Sequence, residues 1–296
     1  MDIKWRSTKR FAVSGPASMK AVAAVRVFAA AVFCFSATGL VAAVMQPEAS
    51  QAFDRYASLV EQDINRPGPF LKLDLQPDVK RRVLAGEVVV VPRQELDHGN
   101  QIGAPHAIIH DWQGFVFVPG ATLDQLSSAL LDYSRYPQYY KPDVIAARLV
   151  SDNGSSRRVF LRLYRRLVFP VVLNTEYEVQ YVRVGPNEQT MMSKSTHIGE
   201  VRHPNADLND EEPPGHGFGF LWRLNSYWKF EQVKGGVIAE CRAISLTRDI
   251  PYGFSWALRD VVEHFPQDSM ARTLEGTRRA GLEGPAATTS ENRRSR

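Results

Sequence analysis

Between Val144 and Thr247 the chain reads as six long strand-like runs: Val144–Ser151, Arg157–Phe169, Val171–Val184, Thr190–Val201, Phe220–Gln232 and Val237–Thr247. Most are joined by short turns, at Asp152-Asn153-Gly154, Gly185-Pro186-Asn187 and Lys234-Gly235-Gly236. Connections that short can join only antiparallel neighbours, because a parallel crossover needs about a dozen residues or more. The pattern therefore predicts one continuous antiparallel sheet.

Two further strands precede it, Glu87–Val91, halted by Pro92, and His106–Val118, ended at Pro119-Gly120. Thr122 then caps a helix with Leu123, Leu126, Leu130 and Leu131 on one face, which Pro137 breaks. After the last strand, Pro251 opens a helical region bearing Phe254, Leu258, Val261 and Phe265. Pro266 interrupts it, and Asp268 or Ser269 caps a second segment carrying Met270, Leu274 and Thr277. Upstream, Phe53–Asn65 places Phe53, Tyr56, Leu59, Val60 and Ile64 on one helical face, and Arg66-Pro67-Gly68-Pro69 stops it. Leu73–Leu84 is polar with scattered apolar residues. Residues 53–84 are read as an N-terminal helical arm, 85–282 as the main domain and 283–296 as a disordered tail.

Two segments sharpen the fold. The string FVFVPGATLDQLSSALLDYSRYPQYYKPDV, opening at Phe115, carries Asp132-Tyr133, Tyr136-Pro137 and Pro142. It resembles the opening of the START/SRPBCC superfamily, and YWKFEQVKGGVIAECRAISLTRDIP and FPQDSMARTLEGTRRA resemble that superfamily's last hairpin and terminal helix. The likeness covers about 200 residues. It implies an α+β helix-grip fold, a curved antiparallel sheet wrapped around a long C-terminal helix. It also implies a hydrophobic ligand, since the superfamily includes lipid and sterol carriers, quinone-binding proteins and aromatase or cyclase enzymes.

Alternation along the strands gives the expected lining of the grip. Leu161 and Leu163, with Val159, face inward and leave Arg158, Arg162 and Arg166 in water; Tyr177 faces inward with Leu173, Thr175 and Val179. Ser195 and His197 share a face with Met191 and Ser193, and Trp222, Ser226 and Trp228 one with Leu224 and Phe230. This set suits a largely apolar ligand with one polar end. Tyr177, Ser195, His197 and Ser226 are the candidate polar contacts, and Trp222 and Trp228 supply apolar wall. In the last strand, Val237, Ala239, Cys241 and Ala243 are assigned to the helix side, which puts Glu240 and Arg242 on the exterior. The polar stretch Asn205–Gly217 reads as a flap over the mouth.

Other chemistry is poorly supported. His106 and His110 lie four apart with no HExxH glutamate and no third ligand, so no metal is expected. No GxSxG stands in the chain, Gly215-His216-Gly217-Phe218-Gly219 precedes a strand instead of following one, and no cofactor is implied. Cys241, alone outside the leader, reads as a small buried hydrophobe. The cluster Arg157, Arg158, Arg162, Arg165 and Arg166 reads as cross-strand pairing with Glu176 and Glu178, with a membrane-headgroup surface as the second reading.

Charge distribution places the protein. Of 36 basic and 32 acidic residues, six and two fall in residues 1–52, leaving a neutral body with no field for nucleic acid. The leader combines that basic start with an uncharged apolar run from Val27 to Met45, the pattern of an export signal. Cleavage is expected after Ala43 or Ala52; the alternative is a retained anchor, since the run is long enough to span a bilayer. These features lead to an exported, periplasmic or membrane-anchored protein that binds or carries a hydrophobic small molecule, such as a lipid or quinone, without catalysis. The alternatives are a cyclase or aromatase acting on a bound polyketide, and a structural protein with a filled core.

Overall fold

The computed structural model describes residues 44–166, 170–203, 210–213, 217–249 and 255–284, with side chains for all but 166 and 255–265. The leader up to residue 43, most of the flap, the stripe Phe254, Leu258, Val261 and Phe265, the Arg166 side chain and residues 285–296 lie outside what is described.

The arm comprises α1 (Pro47–Ile64), a 3-10 turn at Lys72–Leu75 and α2 (Pro77–Leu84). The strands are β1 (Val89–Pro92), the small hairpin β2 (Leu96–Asp97) and β3 (Asn100–Gln101), then β4 (Ala107–Pro119). Helices α3 (Leu123–Leu131) and α4 (Tyr136–Tyr139) follow. The remaining strands are β5 (Val144–Asp152), β6 (Arg157–Arg166), β7 (Pro170–Gly185), β8 (Glu188–Glu200), β9 (Arg223–Val233) and β10 (Gly236–Arg248), and α5 (Ser255–Glu283) closes the fold.

Eight strands form one curved sheet in the order β1-β4-β10-β9-β8-β7-β6-β5. All seven pairings are antiparallel, as the short turns require. The C-terminal half of α5 packs on the inner face. Gly114 permits this approach, since a Cβ there would come within 2.5 Å of Leu274 Cδ1. Met270, Leu274 and Ala280 join Val116, Val118, Phe230, Ala239 and Cys241 in the largest apolar cluster. Cys241 is buried there as a small hydrophobe, and burial pushes its thiol pKa well up. Thr122 closes a capping box with Gln125 at the start of α3, the predicted cap.

Pro266 does not divide the last helix, which runs through it to Glu283. A proline removes one backbone hydrogen bond. The buried contacts of Met270, Leu274 and Thr277 in the following turns hold the helix against that loss. The predicted tail from residue 283 also begins with ordered residues, because the Gly284 carbonyl accepts from Arg135 Nη1 at 2.6 Å and from the Tyr139 hydroxyl at 3.2 Å.

The arm seals the outer face of the sheet. Ala49, Phe53, Tyr56, Ala57 and Val60 of α1 pack on Tyr227, Ile244 and Leu246. Leu71, Leu73 and Val83 pack on Val89, Phe115 and Ile238. The expectation that Glu240 and Arg242 are exterior is therefore half right. Both point away from α5, yet they are only 5% and 4% exposed, because the arm lies over them. Arg242 donates to Asp111, Glu95 and Asp63, while Glu240 accepts from Gln113 Nε2 at 2.7 Å and from the Leu73 N–H at 3.3 Å.

Candidate functional site

The inner face is built in rows set by strand register. Where the described half of α5 packs, the row is Gly114, Cys241, Trp228 and Met191. Trp228 stacks on Phe230 of the same strand, with centroids 5.6 Å apart. One step along comes the row Trp112, Ala243, Ser226, Ser193 and Val179. Its side chains are small between Trp112 and Val179, and Trp112, Ala243, Ser226 and Ser193 are all only partly buried. The next row begins with His110, Ser245 and Leu224, also partly buried. Together these rows make a shallow floor of alanine and serines bounded by tryptophan, leucine and histidine.

The floor ends in tyrosines on the β5–β7 side. Tyr136 is shared by three apolar clusters, and its ring lies 5.1 Å from Tyr133 and 4.9 Å from Tyr140. The Tyr136 and Tyr181 hydroxyls both donate to the Leu130 carbonyl, at 2.7 and 3.2 Å, and Tyr140 bonds Thr277 at 3.2 Å. Burial pushes the Tyr136, Tyr140 and Tyr181 phenols above their ordinary range, so they stay neutral.

Six of the eight side chains predicted to line the grip are on the inner face. Leu161 and Leu163 belong to its apolar clusters, and Tyr177 is buried beside Val159 and Val179. Ser195 is committed to structure: its Oγ accepts the Leu224 N–H at 2.9 Å where the β8–β9 pairing ends. Ser226 Oγ accepts the Trp228 indole N–H at 3.3 Å.

His197 and Trp222 are not in this set. The register of β7 and β8 shifts between the pairs Glu176/His197 and Tyr177/Ser195, which leaves Thr196 as the extra residue of a bulge. One extra residue reverses the face of everything beyond it. His197 therefore lies on the outer side, half exposed, with Nε2 2.7 Å from Glu211 Oε2. Trp222 precedes β9 and packs with the arm's cluster. Alternation counted along an uninterrupted strand could not register either departure.

Arg162, expected in water, is also buried. Its Nη1 donates to Asn174 Oδ1 at 3.1 Å, and Asn174 donates in turn to Glu211 at 2.9 Å. Glu211 comes from the predicted flap, whose described returning limb pairs with the chain end of β8 through the Val201–Glu211 bridge. At least this limb lies on the outer side. Glu200 fixes the chain's return by accepting from the backbone N–H groups of Phe218, Gly219 and Phe220 at 2.6, 2.8 and 3.1 Å. Phe220 and Leu221 then pack against Leu173 and Ile198.

In the sequence His110 stands out only as half of the His106/His110 pair, which has no third ligand. Among the described residues no three His, Cys, Asp or Glu side chains are grouped to hold a metal ion. His110 instead stands at the rim of the floor, with Nε2 3.0 Å from Thr247 Oγ1. Burial lowers its pKa to about 4, so the imidazole is neutral near neutral pH. A cleft of about 540 Å³ between α1 and the β2–β3 hairpin is of different character, with Glu48, Arg55, Asp97, His98 and Gln101 in its walls. It does not suit an apolar ligand.

No family model matches the chain, and no curated protein matches it. Solved structures similar to it include the STAR-related lipid transfer protein from Xanthomonas axonopodis, at 16% identity and TM-score 0.40 over 63% of this chain and 98% of that one. Human STARD10 is 10% identical with TM-score 0.41, over 66% and 69% of the two chains. The Zhui aromatase/cyclase from Streptomyces sp. R1128 is 8% identical with TM-score 0.41, over 60% and 95%. The chain's own topology, a single curved antiparallel sheet holding a C-terminal helix against its inner face, is that of the helix-grip fold.

Proposed function

We propose that the protein is a carrier or sensor that holds a hydrophobic small molecule, such as a lipid or quinone, between the inner face of the sheet and the C-terminal helix. The observation that supports this reading is the contrast between the two faces of the same strands. On the outer face β10 presents Ile238, Glu240, Arg242, Ile244 and Leu246, all buried under the arm. On the inner face the neighbouring Ala243, Ser226 and Ser193 are small and remain partly exposed. Small side chains in the middle of an apolar face leave room that a ligand's apolar surface can fill, at about 25 cal/mol per Å² removed from water.

Export is the second part of the proposal. The basic leader and its apolar run support delivery across a membrane. Cleavage after Ala43 is favoured over Ala52, because α1 begins at Pro47 and already buries Ala49. A cut after Ala52 would remove that turn. Among the described residues no helix is long and apolar enough to cross a membrane.

Native mass spectrometry of the protein purified from an exporting host tests the carrier reading. A bound mass of a few hundred daltons, released intact by organic solvent, is expected. A protein free of ligand that also takes up none from lipid vesicles contradicts it.

A further inference from the structure

We infer that the grip holds the oxyanion end of an otherwise apolar ligand, a carboxylate or a phosphate, between the guanidinium groups of Arg165 on β6 and Arg272 on α5. The inference rests on the carrier reading and adds the chemistry of the ligand's polar end.

In the sequence Arg165 reads as one of an arginine cluster paired with Glu176 and Glu178, but alternation along β6 puts it on the same face as Leu161 and Leu163. That face is the inner one. Its strand partner Val171 is buried in the inner-face cluster with Val144, Leu163 and Leu173. The Arg165 charge also acts on the buried Tyr177 phenol, and Tyr177 is two residues from Val179 at the end of the floor. A cation thus stands beside apolar residues, where an unpaired charge is strongly disfavoured.

Its pairing is incomplete. Arg165 Nη1 donates to the Asp143 and Tyr164 carbonyls at 3.3 and 3.1 Å, and it stands 3.7 Å from Asp143 Oδ1, too far for a hydrogen bond. Asp143 makes its closer contact with the C-terminal helix, where Arg272 Nε donates to Oδ2 at 2.8 Å. Two guanidiniums therefore share one carboxylate, and among the described residues no other acid bonds either of them. One positive charge is left over. Burial pushes the Arg165 pKa down, and attraction from Asp143 does not make up the loss. Nε and Nη2 of Arg165 and both terminal nitrogens of Arg272 make no hydrogen bond among the described residues. The two side chains keep 14% and 39% of their surface accessible, so a ligand can reach them. A guanidinium presents N–H groups in a planar fork that fits the oxygens of a carboxylate or phosphate. An anion at this place cancels the surplus charge, an alcohol only hydrogen-bonds, and an amine is repelled.

The test titrates the full chain with hexadecanoate, hexadecyl phosphate, 1-hexadecanol and hexadecylamine, followed by intrinsic tryptophan fluorescence. At least one of the two anions is expected to bind about tenfold more tightly than the alcohol, the value of one charge-assisted hydrogen bond, and the amine more weakly than the alcohol. The tighter anion identifies the headgroup as carboxylate or phosphate. Arg272→Gln, at a partly exposed side chain, should remove most of the preference and leave the alcohol unchanged, and Arg272→Lys should restore part of it. Asp143→Asn should act in the opposite sense and strengthen anion binding, because it enlarges the surplus of positive charge.

Equal binding of the alcohol and both anions overturns the inference while leaving the carrier reading in place. So does tighter binding of the amine than of the alcohol, a preference that survives Arg272→Gln, or a loss of anion affinity in Asp143→Asn. If none of the four probes binds, the carrier reading fails and takes this inference with it.

Discussion

Arg242 and Asp111 meet diagonally across β10 and β4 on the outer face of the sheet, and the guanidinium Nε and Nη2 donate to the two carboxylate oxygens at 3.0 and 2.6 Å. The arm is bonded to this pair. Tyr56 donates to Asp111 at 2.8 Å, and Asp63 accepts from Arg242 at 3.1 Å. Burial works against the Arg242 charge, but hydrogen bonding and attraction from Asp111 and Glu95 outweigh it and raise its pKa. Burial and the Asp111 charge likewise push the Tyr56 phenol up, so it remains a donor.

Removing the cation should be far worse than removing a surface charge. Arg242→Met leaves Asp111, Glu95 and Asp63 without their shared partner in a buried setting, and is expected to cost about 3–5 kcal/mol. Urea denaturation measures it. A loss near the 0–1 kcal/mol of an exposed ion pair would show that the network is open to water.

The arm should behave as part of the folded body and not as a loose extension. Phe53 is fully buried against the sheet, so Phe53→Ala is expected to destabilise the whole domain by about 3–5 kcal/mol in a single cooperative transition. An early separate transition of the arm, seen by hydrogen exchange confined to α1, would contradict this.

Stability should carry a signature of His110 under acid. Its folded pKa is near 4 against an ordinary 6.5, so between those values the unfolded chain binds a proton that the folded chain does not. Stability therefore falls as the pH drops from about 6.5 towards 4. His110→Gln should flatten that part of the curve in urea melts taken at successive pH values. An unchanged slope would assign the acid sensitivity to other groups.

If the leader is removed, the new N-terminus should fall before α1. Intact-mass analysis of the exported protein is expected to give a chain starting at residue 44, with Ser50 retained to accept from Arg223 Nη1 at 3.2 Å. A chain starting at Phe53 would contradict the role given to α1.

Much of the fold was legible because strand length and turn chemistry are local. The turns at Gly154, Gly185 and Gly235 sit where the sequence placed them, and Met270, Leu274 and Thr277 are buried as their spacing implied. What escaped depended on distant packing. Alternation placed Glu240 and Arg242 opposite α5 correctly, but only the arm's position makes that face an interior. Leu73–Leu84 reads as polar with scattered apolar residues, and nothing local shows that Leu73 and Val83 are fully buried. His197 was misassigned by one bulged residue, Thr196. The spacing of His106 and His110 carries no sign that the His110 ring lies on the inner face and bonds Thr247, since that contact is made across the sheet.

The most direct measurement of the central claim is a crystal structure of the protein as purified, with no ligand added. Elongated density is expected on Ala243, Ser226 and Ser193, within van der Waals distance of Trp112. An inner face in which side chains of the protein itself fill that floor would contradict it.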